Sequence, residues 1–239
     1  MARPATSGVA QRANGRRDER PKGRAAGSRY VGDVLTVGFD LDMTLIDSRP
    51  GIEATLTALS RQTGVYIDTE LVVNRLGPTL ETELAEWYPA EDVVPTADRY
   101  RELYVELGVS GTTLLPGAQD AVAAVREVGG RTLVVTAKYE PNAVLCLAHV
   151  GLEVDHVFGW LHGTAKGAKL AEHGAGVYVG DTPPDMTGAR AADAVAVAVT
   201  TGPHASDELV DAGAHVVLGS LVEFRPWFRE WFRDWASSR

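Results

Sequence analysis

The chain has 239 residues, a formal net charge of -9, 45% hydrophobic and 23% charged residues. That apolar share excludes a wholly disordered chain and suits one large core, or one core with a modest insertion. No stretch approaches the roughly 20 apolar residues that a membrane span requires, and the single cysteine, Cys146, can form neither an internal disulfide nor a cysteine-rich zinc site.

Residues 1–30 carry eight Lys/Arg against Asp18 and Glu19, leaving a body of -15 behind a tail of +6. The tail is rich in Gly, Ala, Ser and Arg and has no periodicity, so it is expected to be disordered; a nucleic-acid partner is not expected, because the acidic body offers a polyanion no continuous basic surface. It has arginines but no apolar run of the secretory type, and with the lone cysteine this leads to the expectation of a soluble, cytoplasmic protein. Val34 to Phe39 is a short β-rich run ending in Asp40, which predicts a buried strand. From Pro50 to Val109 the apolar spacing is helical, with Gly77-Pro78 as a break. After Leu115-Pro116-Gly117, helices and short strands alternate. Helices are predicted over 118–128, 141–150, 166–173 and up to Ala192, and strands over 131–136, 155–158, 176–180, 194–199 and 215–218. Such alternation predicts an α/β fold with a Rossmann-like parallel sheet covered on both faces. The helical block would then be an inserted cap. The expected organisation is an α/β core over 31–48 and 113–225, a helical cap over 49–112, and an aromatic helix over 226–239. In that last segment Trp227, Trp231 and Trp235 recur every four residues beside Phe228 and Phe232, a face suited either to core packing or to a homodimer or protein partner.

Ligands of an open parallel sheet gather at the carboxyl ends of its strands. The residues placed there are Asp40, Asp42 and Thr44, then Thr136 with Lys138, then Asp181 and Asp185, with Lys166 and Lys169 on the helix before. Four carboxylates, a hydroxyl and a lysine at one sheet edge suit a divalent cation and a phosphate. A carboxylate in line with phosphorus can form an aspartyl-phosphate, and a second carboxyl two residues on can serve as general acid and base. The structural alternatives are concrete too: Thr136 as an ordinary strand-end hydroxyl, Asp185 as a helix cap, Cys146 as a small core residue, and all six histidines as structural or surface groups.

Phe39-Asp40-Leu41-Asp42-Met43-Thr44-Leu45 with Asp47-Ser48 resembles the first motif of the haloacid dehalogenase superfamily in its phosphatase form. Val134-Val135-Thr136 resembles the second, and Val179-Gly180-Asp181-Thr182-Pro183-Pro184-Asp185 the fourth. Leu115-Pro116-Gly117 is similar to the segment leading back from an α-helical cap in the phosphoglycolate-phosphatase-like branch. This resemblance implies Asp40 as nucleophile, Asp42 as general acid, Thr136 and Lys166 as phosphate ligands, and Mg2+ held by Asp40, Asp42 (through its backbone carbonyl), Asp181 and Asp185. The third motif departs from the usual Lys-Pro, so Lys166 is preferred over Lys169 only because it follows the predicted loop directly. Arg75 and Tyr100 with Arg101 stand where capped relatives face substrate, and Lys138 is a further candidate for phosphate contact. The expected function is hydrolysis of a small phosphorylated metabolite, phosphoglycolate being the first candidate. A phosphomutase and a catalytically weak partner-binding protein stay open as alternatives.

Overall fold

The computed structural model describes residues 34–238; the basic segment 1–30 lies outside them. The apolar run at the start of the described chain forms strand β1 (Thr36–Phe39), every residue of which is buried. A tight turn leads into the two-residue strand β2 (Ile46–Asp47), and four helices follow: α1 (Arg49–Thr63), α2 (Thr69–Val73), α3 (Leu80–Leu84) and α4 (Ala90–Leu107). The helical section, read from the sequence with a break at Gly77-Pro78, is thus divided into four helices. Gly64, at φ +73°, ends α1, and the side chains of Asp68 and Thr79 accept N–H bonds from the first turns of α2 and α3. Strand β3 (Thr113–Leu114) returns antiparallel to β2, a hairpin too short for any periodicity to reveal.

The alternating section follows as α5 (Ala118–Glu127), β4 (Arg131–Val135), α6 (Glu140–His149), β5 (His156–Phe158), α7 (Thr164–Glu172), β6 (Ala175–Gly180), α8 (Pro183–Ala191), β7 (Val195–Val199), α9 (Ser206–Asp211) and β8 (Val216–Leu218). The six strands form one sheet in the order β5-β4-β1-β6-β7-β8, with every pairing parallel. The fold is therefore the α/β parallel sheet expected. The short helix α9, absent from the sequence reading, is closed by Glu208, which accepts the Ala205 N–H at 2.9 Å. Because β4 and β6 flank β1 while the chain runs outward on both sides, the switch in strand order falls beside β1, where a crevice opens at the strands' carboxyl ends.

Helix α10 (Phe224–Ser237) begins two residues earlier than the spacing suggested. Phe224 and Phe228 are fully buried, and Trp227, Trp231, Phe232 and Trp235 are partly buried against the same core. Phe224 meets Phe39 of β1 edge-on, with ring centroids 5.5 Å apart. The aromatic stripe thus continues the protein's own core. Cys146 is buried there as well.

Candidate active site

Asp40, Thr136 and Asp181 each stand one residue beyond a central strand, at the ends of β1, β4 and β6. Backbone bonds fix two of these positions: the Asp40 N–H donates to the Val179 carbonyl (2.8 Å) and the Thr136 N–H to that of Phe158 (2.9 Å). After Asp40 the chain turns sharply. The Leu41 carbonyl accepts the N–H groups of Leu45 and Ile46 at 2.9 and 3.1 Å, and Met43 adopts φ +59°. That turn carries the Thr44 hydroxyl to Asp181 Oδ1, to which it donates at 2.7 Å.

Asp40, Asp181 and Asp185 form a buried cluster, with one oxygen from each lying within 4.8 Å of the others. Lys166 Nζ donates to Asp40 Oδ1 at 2.9 Å and to Asp185 Oδ1 at 2.6 Å. Lys169 lies outside the cluster and pairs with Glu172 at 2.6 Å, so position on α7, one turn apart, separates the two lysines. Asp185 is the helix cap weighed from sequence, and it also meets Lys166. Its Oδ2 accepts from the Thr182 N–H (3.0 Å) and hydroxyl (2.7 Å), closing the first turn of α8, while Oδ1 faces Lys166. Gly180 makes this packing feasible, since a Cβ there would come 2.5 Å from the Asp185 side chain.

Burial raises the Asp40 carboxyl to about 7, with Asp185 and Asp42 adding repulsion and Lys166 opposing it. Asp181 is pushed well above the usual carboxylate range by burial and by its proximity to Asp40 and Asp185. Burial works against the Lys166 ammonium, but Asp185 and Asp40 outweigh it and hold the proton more tightly than on a free lysine. Three carboxylates facing one ammonium leave a surplus of negative charge in a buried space. The cluster offers only oxygen donors, without His or Cys, so its chemistry fits a hard divalent cation.

The Asp42 carboxylate is not part of that cluster, contrary to the expectation of four carboxylates together. It accepts instead from the Ser48 hydroxyl and from Lys138 Nζ, the latter at 2.9 Å. Lys138 is buried, and its Nζ also sits 4.4 Å from the centre of the Tyr104 ring. The Thr136 hydroxyl accepts the Lys138 N–H at 3.2 Å and lines the same cavity as Asp40, Asp42, Lys138, Lys166 and Asp181. Arg75 and Arg101 line that cavity too, but both are engaged: Arg75 with Glu83 and Glu86, Arg101 with Glu81 and Asp98.

Sequence reasoning missed several residues at this site. Asn142 and Trp160 line the cavity, and so does His162, which is exposed in keeping with its reading as a surface group. The Thr201 hydroxyl donates to the Met43 carbonyl at 2.5 Å, and Gly202 lies so close to Asp181 that a Cβ there would be 1.9 Å from Oδ2. The available signal for these last two was their place just past β7, a fourth strand end on the same sheet edge.

A family model described as haloacid dehalogenase-like hydrolase matches residues 37–199. Among curated proteins, the chain is 31% identical over 116 residues to the tyrosine-protein kinase PtkA of Mycobacterium tuberculosis, a match covering 48% of this chain and only 40% of that protein. It is 29% identical to the probable phosphatase IndB of Dickeya dadantii, over 77% of this chain and 89% of the relative. It is 28% identical to the phosphoglycolate phosphatase of Chromobacterium violaceum, over 80% and 94% of the two chains. A solved haloacid dehalogenase-like family hydrolase from Streptococcus pneumoniae shares the fold, with a TM-score of 0.71 at 23% identity, covering 82% of this chain and 98% of that one.

Proposed function

The chain belongs to the haloacid dehalogenase-like hydrolase family, and from that premise we propose that it is a Mg2+-dependent phosphatase that hydrolyses a small phosphorylated metabolite through an aspartyl-phosphate. The observation that carries this reading is the buried group of Asp40, Asp181 and Asp185 around Lys166 Nζ, beside Thr136 at the strand ends. The resemblance of this chain to two relatives named as phosphatases supports it.

In this reading Asp40, Asp181 and Asp185 hold Mg2+, together with the Asp42 backbone carbonyl. When bound, the cation offsets the repulsion among the carboxylates and draws negative charge from the phosphoryl oxygens. Thr136 and Lys166 bind those oxygens and orient phosphorus for in-line attack. An Asp40 carboxylate oxygen forms a bond to phosphorus as the bond to the leaving oxygen breaks, and Asp42 gives that oxygen its proton. Asp42 then takes a proton from water, the water oxygen bonds to phosphorus, and the Asp40–phosphorus bond breaks to release inorganic phosphate. Lys138 Nζ, 2.9 Å from Asp42 Oδ1, holds that carboxyl at the cavity wall. Helices α1 to α4 act as a cap that closes over substrate and excludes bulk water. A cytoplasmic location belongs to the same proposal. It accords with the buried lone thiol, and among the described residues no helix is long and apolar enough to cross a membrane.

The test is phosphate release from p-nitrophenyl phosphate and a panel of metabolite phosphates, with Mg2+ or EDTA, for the wild type and Asp40→Asn. The expected result is metal-dependent turnover that falls by a factor of roughly 1000 or more in the variant, since the nucleophile is lost. Absence of turnover on every ester by folded, Mg2+-loaded protein would overturn the reading.

A further inference from the structure

The cavity above the carboxylate cluster has two unlike parts. Its floor is the charged strand-end group. Its upper wall comes from the inserted helices: Ile52 and Leu56 of α1, Val72 of α2, Leu76, Leu80 of α3 and Tyr100 of α4. Four cationic side chains face the space, and each already has a carboxylate of the protein against it. Lys166 is held by Asp40 and Asp185, and Lys138 by Asp42. Arg75 makes two bonds to Glu83, at 2.6 and 3.1 Å, and one to Glu86 at 2.7 Å. Arg101 is held by Glu81 and Asp98 and also lies 4.9 Å from the Trp160 ring centre.

Glu81 and Glu83 themselves line the cavity. Two guanidiniums, Arg75 and Arg101, stand against four carboxylates, Glu83, Glu86, Glu81 and Asp98, so a carboxylate on the substrate, remote from its phosphate, meets a surplus of negative charge there. An uncharged apolar group meets no such obstacle and covers the aliphatic wall, with each buried methylene adding to affinity. We propose that this site takes phosphate monoesters whose leaving group is uncharged and apolar, alkyl or aryl, and that the Glu81–Arg101 and Glu83–Arg75 pairs act against esters carrying a second anionic group. This substrate class rests on the phosphatase reading above and departs from the phosphoglycolate expectation. Tyr100 belongs to the same selection, its ring forming part of the wall and packing 5.7 Å from the Tyr104 ring.

The experiment compares kcat/KM of the Mg2+-loaded full chain for methyl, butyl and phenyl phosphate with that for 2-phosphoglycolate. It pairs this with calorimetric binding of phenylphosphonate and phosphonoacetate, which cannot be hydrolysed. The expected result is at least a tenfold preference for butyl and phenyl phosphate over both methyl phosphate and 2-phosphoglycolate, with tighter binding of phenylphosphonate. Glu81→Gln, which releases Arg101 from one partner, should narrow the phenyl-to-phosphoglycolate ratio at least fivefold. Leu80→Arg, which adds an unpaired cation at the wall, should narrow it in the same direction. Preference for 2-phosphoglycolate in the wild type would overturn the inference and leave the phosphatase reading standing. If no ester is hydrolysed, the phosphatase reading falls, and the two phosphonates decide the pocket's selectivity on their own: tighter phenylphosphonate supports it and tighter phosphonoacetate overturns it.

Discussion

Replacing Asp40 by Asn should stabilise the metal-free protein at alkaline pH and do nothing for it at acid pH. The side chain is buried beside Asp185 and Asp181 with Lys166 Nζ 2.9 Å away, and burial raises its carboxyl from 3.8 to about 7. Between those values the folded state keeps a proton on Asp40 that the unfolded chain has released, so stability falls as pH rises through this window. Each pH unit corresponds to about 1.4 kcal/mol, so the full cost of ionising Asp40 approaches about 4 kcal/mol above pH 7, and relaxation of its neighbours reduces this to about 2–4 kcal/mol. An asparagine has the same shape and an oxygen that can still accept from Lys166 Nζ, but it has no charge to desolvate. The assay is urea unfolding in EDTA, followed by tryptophan fluorescence, for both proteins at pH 8 and pH 5. A gain of about 2–4 kcal/mol at pH 8 that shrinks to roughly 40% of that at pH 5, and vanishes below the unfolded carboxyl's 3.8, is expected. Added Mg2+ should narrow the difference at pH 8, because a cation that binds only the folded state stabilises the wild type more. An Asn variant that is less stable at pH 8, or equally stabilised at both pH values, would refute the claim that surplus negative charge strains this cluster.

Three other variants probe the same architecture. Lys166→Met removes the ammonium shared by two buried carboxylates and should cost about 3–5 kcal/mol in EDTA at pH 8, whereas Lys169→Met, which breaks a surface pair, should change stability by less than about 1 kcal/mol in the same urea series. Gly202→Ala places a Cβ 1.9 Å from Asp181 Oδ2, so calorimetry should show Mg2+ affinity reduced by a factor of about 10–100 with folding retained. Asp155 accepts from the Thr132 N–H and hydroxyl at 2.7 and 2.8 Å, and its carboxyl is lowered; burial opposes that shift and the Thr132 bonds outweigh it. Its stabilisation is present above the ordinary carboxylate range and lost as pH falls through the lowered value. Asp155→Asn should therefore melt below the wild type near pH 6, with the gap closing in strong acid, and a gap independent of pH would contradict this.

What depends on near neighbours was legible in the order of the residues. The β-rich run ending in Asp40, the run ending in Thr136 and the one ending in Gly180-Asp181 are strands because successive side chains alternate across a buried sheet. Because these strands are parallel, the residues just past their ends meet at one edge of the sheet. Helical spacing likewise located α5, α6, α7 and α10. The β2–β3 hairpin and α9 escaped because two or six residues are too few to show a period. Tertiary structure alone decided which charges meet. Lys166 reaches Asp40 across 126 residues of sequence and Lys138 reaches Asp42 across 96, while Lys169, a turn further along α7, faces outward. Asp40 and Asp42, two residues apart, meet different lysines, and Arg75 after α2 and Arg101 of α4 are matched by glutamates that only folding brings beside them. Such pairing is set by through-space distance and burial, which a linear pattern of residue types does not encode.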